Sequence, residues 1–375
     1  MNNFPNLFSP TKIGNLALKN RITMAPTFMA YGHEDGTISA AMLEHYRDMA
    51  RSGVGLVVVE NVHVNDQHSR FGRLIRADRD EDIPQLDMLA RTIKESGAIA
   101  CCQINFGGRL AMVTEALAPS PVPFFNAPPP REMTRAEIQT VIGEYAATAV
   151  RIQKAGFDLV EIHGATGYLP CQFLSPRTNQ RADEYGGSLA NRMRFVNELI
   201  SRVREATGGD YPIGYRFMAD EWDPAGFQLA EAKVVAGELE KLGVAYLSVT
   251  AGTYESIFTP EKLALSRQEG YMAGLAAEIK QEVSVPVIAA GRIATPDLAE
   301  NLIATGKTDL VGLARVLLAD PQWPRKAEGG AAAEIISCPI DCDVCLQLVM
   351  KQQPVICASW TKERKMRYNH LLNAK

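Results

Sequence analysis

A (β/α)8 TIM barrel, of the triosephosphate isomerase type, followed by a short cysteine-rich extension, is the fold that three observations on this 375-residue sequence predict. Apolar, β-branched runs alternate eight times with helical patterns, and the composition does not change regime along them. The first run is followed by Pro26-Thr27-Phe28 and not by the G-x-G-x-x-G turn of a doubly wound nucleotide-binding sheet. Residues 1–328 are assigned to the barrel and residues 329–375 to the C-terminal extension.

Taken in order, Arg21 to Pro26 (RITMAP) reads as a short first strand ended by proline. A helical pattern over Ala40 to Ser52 leads to Val54 to Glu60 (VGLVVVE), a continuous run of the kind parallel sheets bury on both faces. Further strands are expected at Ala98 to Gln103, Phe157 to Ile162, Tyr211 to Phe217, Val244 to Val249, Val285 to Ala289 and Asp309 to Leu313. Helices are expected over Asp82 to Ser96, Thr134 to Ala155, Ser188 to Thr207, Gln228 to Leu242, Met272 to Val283 and Pro296 to Thr305, with a last short helix after Asp320.

Loop length marks where chemistry should sit. The connections Ile104 to Met133 and His163 to Gly187 far exceed the roughly two to six residues usual after a barrel strand, and loops at that end build barrel active sites. The first contains PSPVPFFNAPPPRE, whose prolines stiffen it, and ends in the capping box Thr134-x-x-Glu137. The second carries the densest set of polar, aromatic and basic groups in the chain.

Bulk properties exclude some partners. A net charge of −4 favours neither nucleic acid nor an acidic membrane, since both normally need a basic surface. The start MNNFPNLFSPTKIGN lacks an apolar h-region, and no run of about 18 uncharged apolar residues occurs. A soluble, cytoplasmic protein is expected. Of seven cysteines, Cys101, Cys102 and Cys171 lie in or beside apolar segments and read as buried structural thiols.

Residues at barrel strand ends face the mouth. Here these are Pro26, Thr27, Glu60, Asn61, Gln103, Asn105, His163, Thr166, Arg216, Thr250, Gly291, Arg292, Ala314 and Arg315. Converging amide, imidazole and guanidinium groups suit a large anionic ligand, and flavin mononucleotide (FMN) answers that description. Gly291-Arg292 and Ala314-Arg315 follow the seventh and eighth strands, where barrels commonly bind phosphate; a small residue lets the backbone approach and arginine adds a bidentate charge.

With these motifs the chain resembles the old yellow enzyme family of flavin oxidoreductases from Leu7 to Trp360. The resemblance is carried by LFSPTKIGNLALKNRITMAP, QINFGGR, HGATGYLPCQFLSPRTNQRADEYGGSLANRMRF, AGRI and LARVLLADP. It is nearest to the branch of 2,4-dienoyl-CoA reductase, trimethylamine dehydrogenase and the enoate reductases. The resemblance implies that Ala25, Pro26, Thr27, Asn61, Gln103 and Arg216 surround the flavin ring, with Gln103 at its pyrimidine edge and Arg216 near N1. Gly291, Arg292, Ala314 and Arg315 would take the phosphate.

It further implies that His163 and Thr166 hold a substrate carbonyl, that Tyr168 is the proton donor, and that Tyr254 replaces the partner histidine of the dienoyl-CoA reductases. Phe28 and Phe106 stand where relatives carry a cysteine and a histidine. Arg181, Asp183, Gly186, Gly187, Asn191 and Arg192 are expected to fold the long loop and seat its helix. The function implied is an FMN-dependent ene-reductase acting on an unsaturated carbonyl or acyl-CoA. An amine or N-methyl dehydrogenase is the alternative, with Phe28, Phe106 and Tyr254 as a cation cage; a non-catalytic electron-transfer subunit is a third.

Four cysteines, Cys338-x3-Cys342-x2-Cys345-x11-Cys357, follow the barrel, and four soft thiolates suit a [4Fe-4S] cluster or tetrahedral zinc. The resemblance favours the cluster. Such relatives usually continue into a flavin and pyridine-nucleotide domain, so a ferredoxin or reductase subunit is expected as electron donor, with NAD(P)H acting directly as the competing idea. A homo-oligomer is also compatible with the sequence.

Overall fold

Eight parallel strands close on themselves as the alternation requires. The computed structural model describes residues 3–70 and 72–373; positions 1–2 and 374–375 of the segments assigned above lie outside the described residues. The strands are β1 (Ile22–Met24), β2 (Leu56–His63), β3 (Ile99–Asn105), β4 (Leu159–Gly164), β5 (Ile213–Met218), β6 (Tyr246–Thr250), β7 (Val287–Ala289) and β8 (Leu310–Leu313). Pairing of β8 with β1 closes the barrel, with Val311 opposite Ile22 and Leu313 opposite Met24. A hairpin of Thr11–Ile13 and Leu16–Leu18 sends Ile13 and Leu18 into one apolar cluster with the strand residues Leu56, Val58, Cys101, Leu159, Tyr246, Ile288 and Leu310.

Each strand starts one or two residues later than its apolar run, and β2 to β6 continue one to three residues past it. The physical reason is that polar residues near the mouth break the apolar pattern while their backbones go on pairing. Those polar ends are where the site is built.

Around the barrel lie α1 (Ala40–Arg51), α2 (Ile83–Glu95), α3 (Arg135–Lys154), α4 (Leu189–Thr207), α5 (Leu229–Lys241), α6 (Ala273–Lys280), α7 (Pro296–Ala304) and α8 (Trp323–Glu328). Helix α3 begins at the expected capping box: Thr134 Oγ1 accepts from the Glu137 N–H at 3.2 Å and the Thr134 N–H donates back to Glu137 at 2.8 Å. Two short helices inside loops, Leu169–Leu174 and Arg315–Ala319, were not legible as periodic patterns because each is too short to show one.

The extension contributes α9 (Val344–Met350) and α10 (Lys362–Asn373). It passes the loop after β1, where the Val355 N–H donates to the Met29 carbonyl at 3.0 Å, and ends with α10 against α1. Arg364 lies 4.6 Å over the Trp360 ring and pairs with Asp48 at 3.0 Å, while Trp360 Nε1 donates to the Leu318 carbonyl at 2.6 Å. Among the described residues no helix is long and apolar enough to cross a membrane.

Candidate active site

Strand alternation decides which β4 side chains reach the lumen. Val160 and Ile162 join the outer core, whereas Leu159 and Glu161 point inward, and His163 follows at the mouth. The His163 ring lies 4.4 Å from that of Tyr168, and the Tyr168 ring lies 6.5 Å from that of Tyr254. Asn61, at the end of β2, donates through Nδ2 to the Tyr168 hydroxyl at 3.1 Å. Thr166 has a left-handed backbone (φ 58°) and forms a bridge to Thr253, which brings it beside Tyr254. The structure therefore gathers His163, Tyr168 and Tyr254 and adds Asn61 to them, a role that sequence had given to flavin contact.

Electrostatics keeps this group neutral. Burial pushes the His163 imidazole well below its ordinary value, and the positive charge of Arg216 adds to the effect. Burial likewise raises the phenols of Tyr168 and Tyr254. Nδ1 of His163 is buried without a partner, so the site holds a hydrogen-bonding position still to be filled.

A cavity opens beside this group between β1, β7 and β8. Ala25, Pro26, Arg216, Gly291, Arg292, Ala314 and Arg315 line it, together with Tyr271, Met272 and Cys338. At Gly291 the backbone is left-handed (φ 102°), and a Cβ there would stand 3.1 Å from Met272, so this turn takes glycine. Arg292 donates to the carbonyls of Ser266 and Ile340 at 3.2 and 3.0 Å; burial, then the charge of Arg315, lowers its proton affinity. Two guanidinium groups disfavouring one another beside a glycine turn are arranged for an anion. Thr27 bonds its own turn, Oγ1 to the Ala25 carbonyl at 3.2 Å, and does not line the cavity.

Beneath the mouth lies a polar layer. Gln103 Nε2 donates to Glu161 at 2.6 Å, the Tyr246 hydroxyl donates to the other Glu161 oxygen at 2.7 Å, and Arg216 donates to Ser248 Oγ at 2.7 Å. The Arg216 guanidinium in the cavity wall, the unpartnered imidazole nitrogen and the glycine turn together fit an anionic ligand of the kind FMN is. Glu161, Tyr246, Ser248, Tyr271 and Met272 were missed as site residues. Tyr246 lies inside an apolar run, and Glu161 reads as the end of a strand; only barrel register shows what they face.

The loop residues behave as expected. Arg181 pairs with Asp183 at 2.6 Å and donates to the carbonyls of Pro119 and Met133; Asn191 donates to the Gly186 carbonyl and Arg192 to that of Gly187. Phe106, offered above for a cation cage, is fully buried in the hydrophobic core; besides Tyr168, Tyr254 has Phe124 as a ring neighbour, at 6.4 Å. Cys101, Cys102 and Cys171 are buried free thiols.

Cys338, Cys342, Cys345 and Cys357 are free thiols as well. They come within electrostatic range of one another, Cys338 with Cys342 and Cys357, and Cys345 with Cys338 and Cys342. Among the described residues no three Cys, His, Asp or Glu side chains are placed so as to hold a metal ion. The donor chemistry of four soft thiols suits a thiolate-bound metal.

A family model described as the NADH:flavin oxidoreductase / NADH oxidase family matches residues 6–334. An NADH oxidase from Thermoanaerobacter brockii is 46% identical over 353 residues, covering 91% of this chain and 54% of that protein. Among solved structures, a 2-naphthoyl-CoA reductase complexed with 2-naphthoyl-CoA is similar with a TM-score of 0.91 at 28% identity, covering 99% of this chain and 58% of that one. Histamine dehydrogenase from Rhizobium sp. 4-9 is similar with a TM-score of 0.86 at 30% identity, covering 95% and 52%. The chain thus spans about half the length of the first curated relatives it matches.

Proposed function

The chain belongs to the NADH:flavin oxidoreductase / NADH oxidase family, and from that premise we propose that it is an FMN-dependent ene-reductase acting on a carbonyl-conjugated C=C bond. The observation that carries this reading is the neutral set of buried His163 and Tyr168 with half-buried Tyr254, next to Arg216 and the cavity it lines. FMN, when bound, supplies the hydride that goes to Cβ of the alkene.

The protein's own groups do the rest. A neutral His163 has one ring N–H to give to the substrate carbonyl, with Thr166 as the second, shorter donor. Tyr168, protonated throughout the neutral range, passes its proton to Cα; general acids of this kind contribute roughly a hundred- to ten-thousandfold. Asn61 donates to the phenol oxygen and so fixes where the Tyr168 proton points. The Tyr254 phenol beside it is suited to return a proton after turnover.

Gln103 and Arg216 would hold the flavin pyrimidine, and Gly291, Arg292, Ala314 and Arg315 its phosphate. Cys338, Cys342, Cys345 and Cys357 are assigned to a [4Fe-4S] cluster, with zinc as the alternative; the clustering of four soft thiols supports this, and iron and labile-sulfide analysis of anaerobically purified protein decides it. The electron donor is NAD(P)H or a reduced carrier protein. Rapid bleaching of the flavin by NADH alone in anaerobic stopped-flow would select the first.

The test of the main reading is anaerobic reoxidation of the reduced, FMN-loaded protein by a panel of enones, enoates and enoyl-CoA thioesters. Reoxidation by none of them, with turnover of an amine by the oxidised form, would overturn it. That outcome is the second reading, an amine dehydrogenase, which the likeness to histamine dehydrogenase and the ring set Phe124, Tyr168 and Tyr254 support.

A further inference from the structure

We propose that Glu161 is a positioning residue for the flavin, fixing the orientation of Gln103 and offsetting the charge of Arg216 against which the pyrimidine edge would lie. The inference rests on the FMN reading above and goes beyond it, since no flavin contact is assigned to Glu161 itself.

Register brings the group together. Gln103 on β3 pairs with Glu161 on β4, Glu161 pairs with Gly214 on β5, and Arg216 pairs with Ser248 on β6. All alternate inward, one layer above the apolar cluster of Cys101, Leu159 and Tyr246. Glycine at 214 is part of the construction, because a Cβ there would lie 2.2 Å from the Tyr246 ring. The vacated space lets the Tyr246 phenol reach Glu161.

The Glu161 carboxylate has no exposed surface, and each oxygen accepts one donor, Gln103 at 2.6 Å and Tyr246 at 2.7 Å. Burial raises the proton affinity of Glu161 while Arg216, Tyr246 and Gln103 hold it down, and as a carboxylate accepting both donors it dictates which end of the Gln103 amide turns toward it. The amide nitrogen is committed downward, so the amide oxygen is left to accept from above, and the flavin pyrimidine offers an N–H at N3. A non-ionised neighbour that donated a proton here would turn the amide over and present the wrong end.

The second effect is on charge. Arg216 is partly buried in the cavity wall, and among the groups acting on it Glu161 is the strongest that favours its charged form. Near flavin N1 a bare guanidinium stabilises the negative charge of reduced flavin and raises the reduction potential; a carboxylate behind it weakens that field and lowers the potential. Glu161 therefore keeps the reduced flavin a stronger hydride donor than Arg216 alone would allow. The titratable groups around it are Cys101 on β3, His163 on β4, Arg216 on β5 and Tyr246 on β6.

The experiment is a spectroelectrochemical titration of the FMN-loaded protein and its E161Q variant. Glutamine keeps an acceptor for Gln103 and removes the charge, so the midpoint is expected to move positive with FMN still bound. The variant Glu161→Leu removes both, and it should in addition weaken FMN binding by roughly three- to tenfold, the worth of one hydrogen bond. An E161Q midpoint equal to that of the wild type, in a protein with unchanged melting behaviour, overturns the proposal.

If E161Q does not fold, Tyr246→Phe serves instead. It withdraws one of the two donors, so Glu161 takes a proton at higher pH and the positive move in midpoint begins at higher pH than in the wild type; superimposable profiles overturn the proposal. A wild-type protein that binds no FMN would sink the flavin reading, whereas a flavin-loaded wild type with an unmoved E161Q potential sinks only this inference.

Discussion

The amide of Asn61 donates to the phenol oxygen of Tyr168 across 3.1 Å, joining the end of β2 to the loop after β4. With its lone pair engaged, the phenol has its own proton to give, and the direction of that proton is set by a side chain from another strand. Tyr168 sits beside His163 and Tyr254, so one hydrogen bond orders the phenol proposed as proton donor.

Replacing that acid should separate the two half-reactions. Tyr168→Phe is expected to leave reduction of the flavin intact and to slow alkene turnover by roughly a hundred- to ten-thousandfold. Asn61→Ala should fall between Tyr168→Phe and the wild type, since it leaves the acid but frees its orientation. Single-turnover kinetics of each half-reaction checks this; equal loss in both half-reactions would remove Tyr168 from proton transfer.

Phosphate recognition is predicted to rest on the arginines after β7 and β8. Arg315→Ala should weaken FMN binding by about ten- to hundredfold, the scale of a charged hydrogen bond, and leave riboflavin binding nearly unchanged. Titration of the apoprotein with both flavins, read by fluorescence, gives the comparison. A loss shared equally by riboflavin would place Arg315 away from the phosphate.

A pH signature is expected from Glu60, whose carboxyl burial pushes up to about 8 from an ordinary 4.5 while one oxygen accepts from the Met29 N–H at 2.6 Å. With the folded value above the unfolded one, the stability it contributes is fully present below pH 4.5 and is lost as pH rises through 8. Glu60→Gln lacks this loss, so its stability relative to the wild type should grow by roughly 1.4 kcal/mol per pH unit across that window. Urea unfolding at several pH values tests it, and a constant difference from pH 5 to 8 would show that Glu60 is ionised in the folded protein.

The extension should loosen as a unit. Trp360 is buried beneath the Arg364 guanidinium and bonded to the Leu318 carbonyl, and truncating a buried tryptophan costs about 3–5 kcal/mol. Trp360→Ala is expected to raise hydrogen exchange over residues 344–373 while strands β2 to β5 keep their protection. Uniform acceleration through the barrel would mean that the extension is not a separable element.

Much of this was legible along the chain. The strands showed because a parallel barrel buries both faces of each strand, which leaves continuous apolar runs, and Thr134 with Glu137 announced the start of α3 through local chemistry alone. His163 and the arginines after β7 and β8 were singled out by their positions at strand ends, and Tyr168 by the family resemblance. Phe106, in contrast, is fully buried, which its place after β3 does not by itself show.

The sequence by itself determined the barrel, its mouth and the residue types gathered there, since hydrophobic period and turn chemistry act between near neighbours. Only the tertiary structure decided that Glu161 faces Gln103 and Tyr246, that Asn61 holds Tyr168, and that Cys338 borders the cavity lined by Arg292 and Arg315. Those contacts depend on the register in which strands far apart in sequence pair, and on burial, which makes a charge or an open hydrogen-bonding group costly unless a partner from another strand meets it.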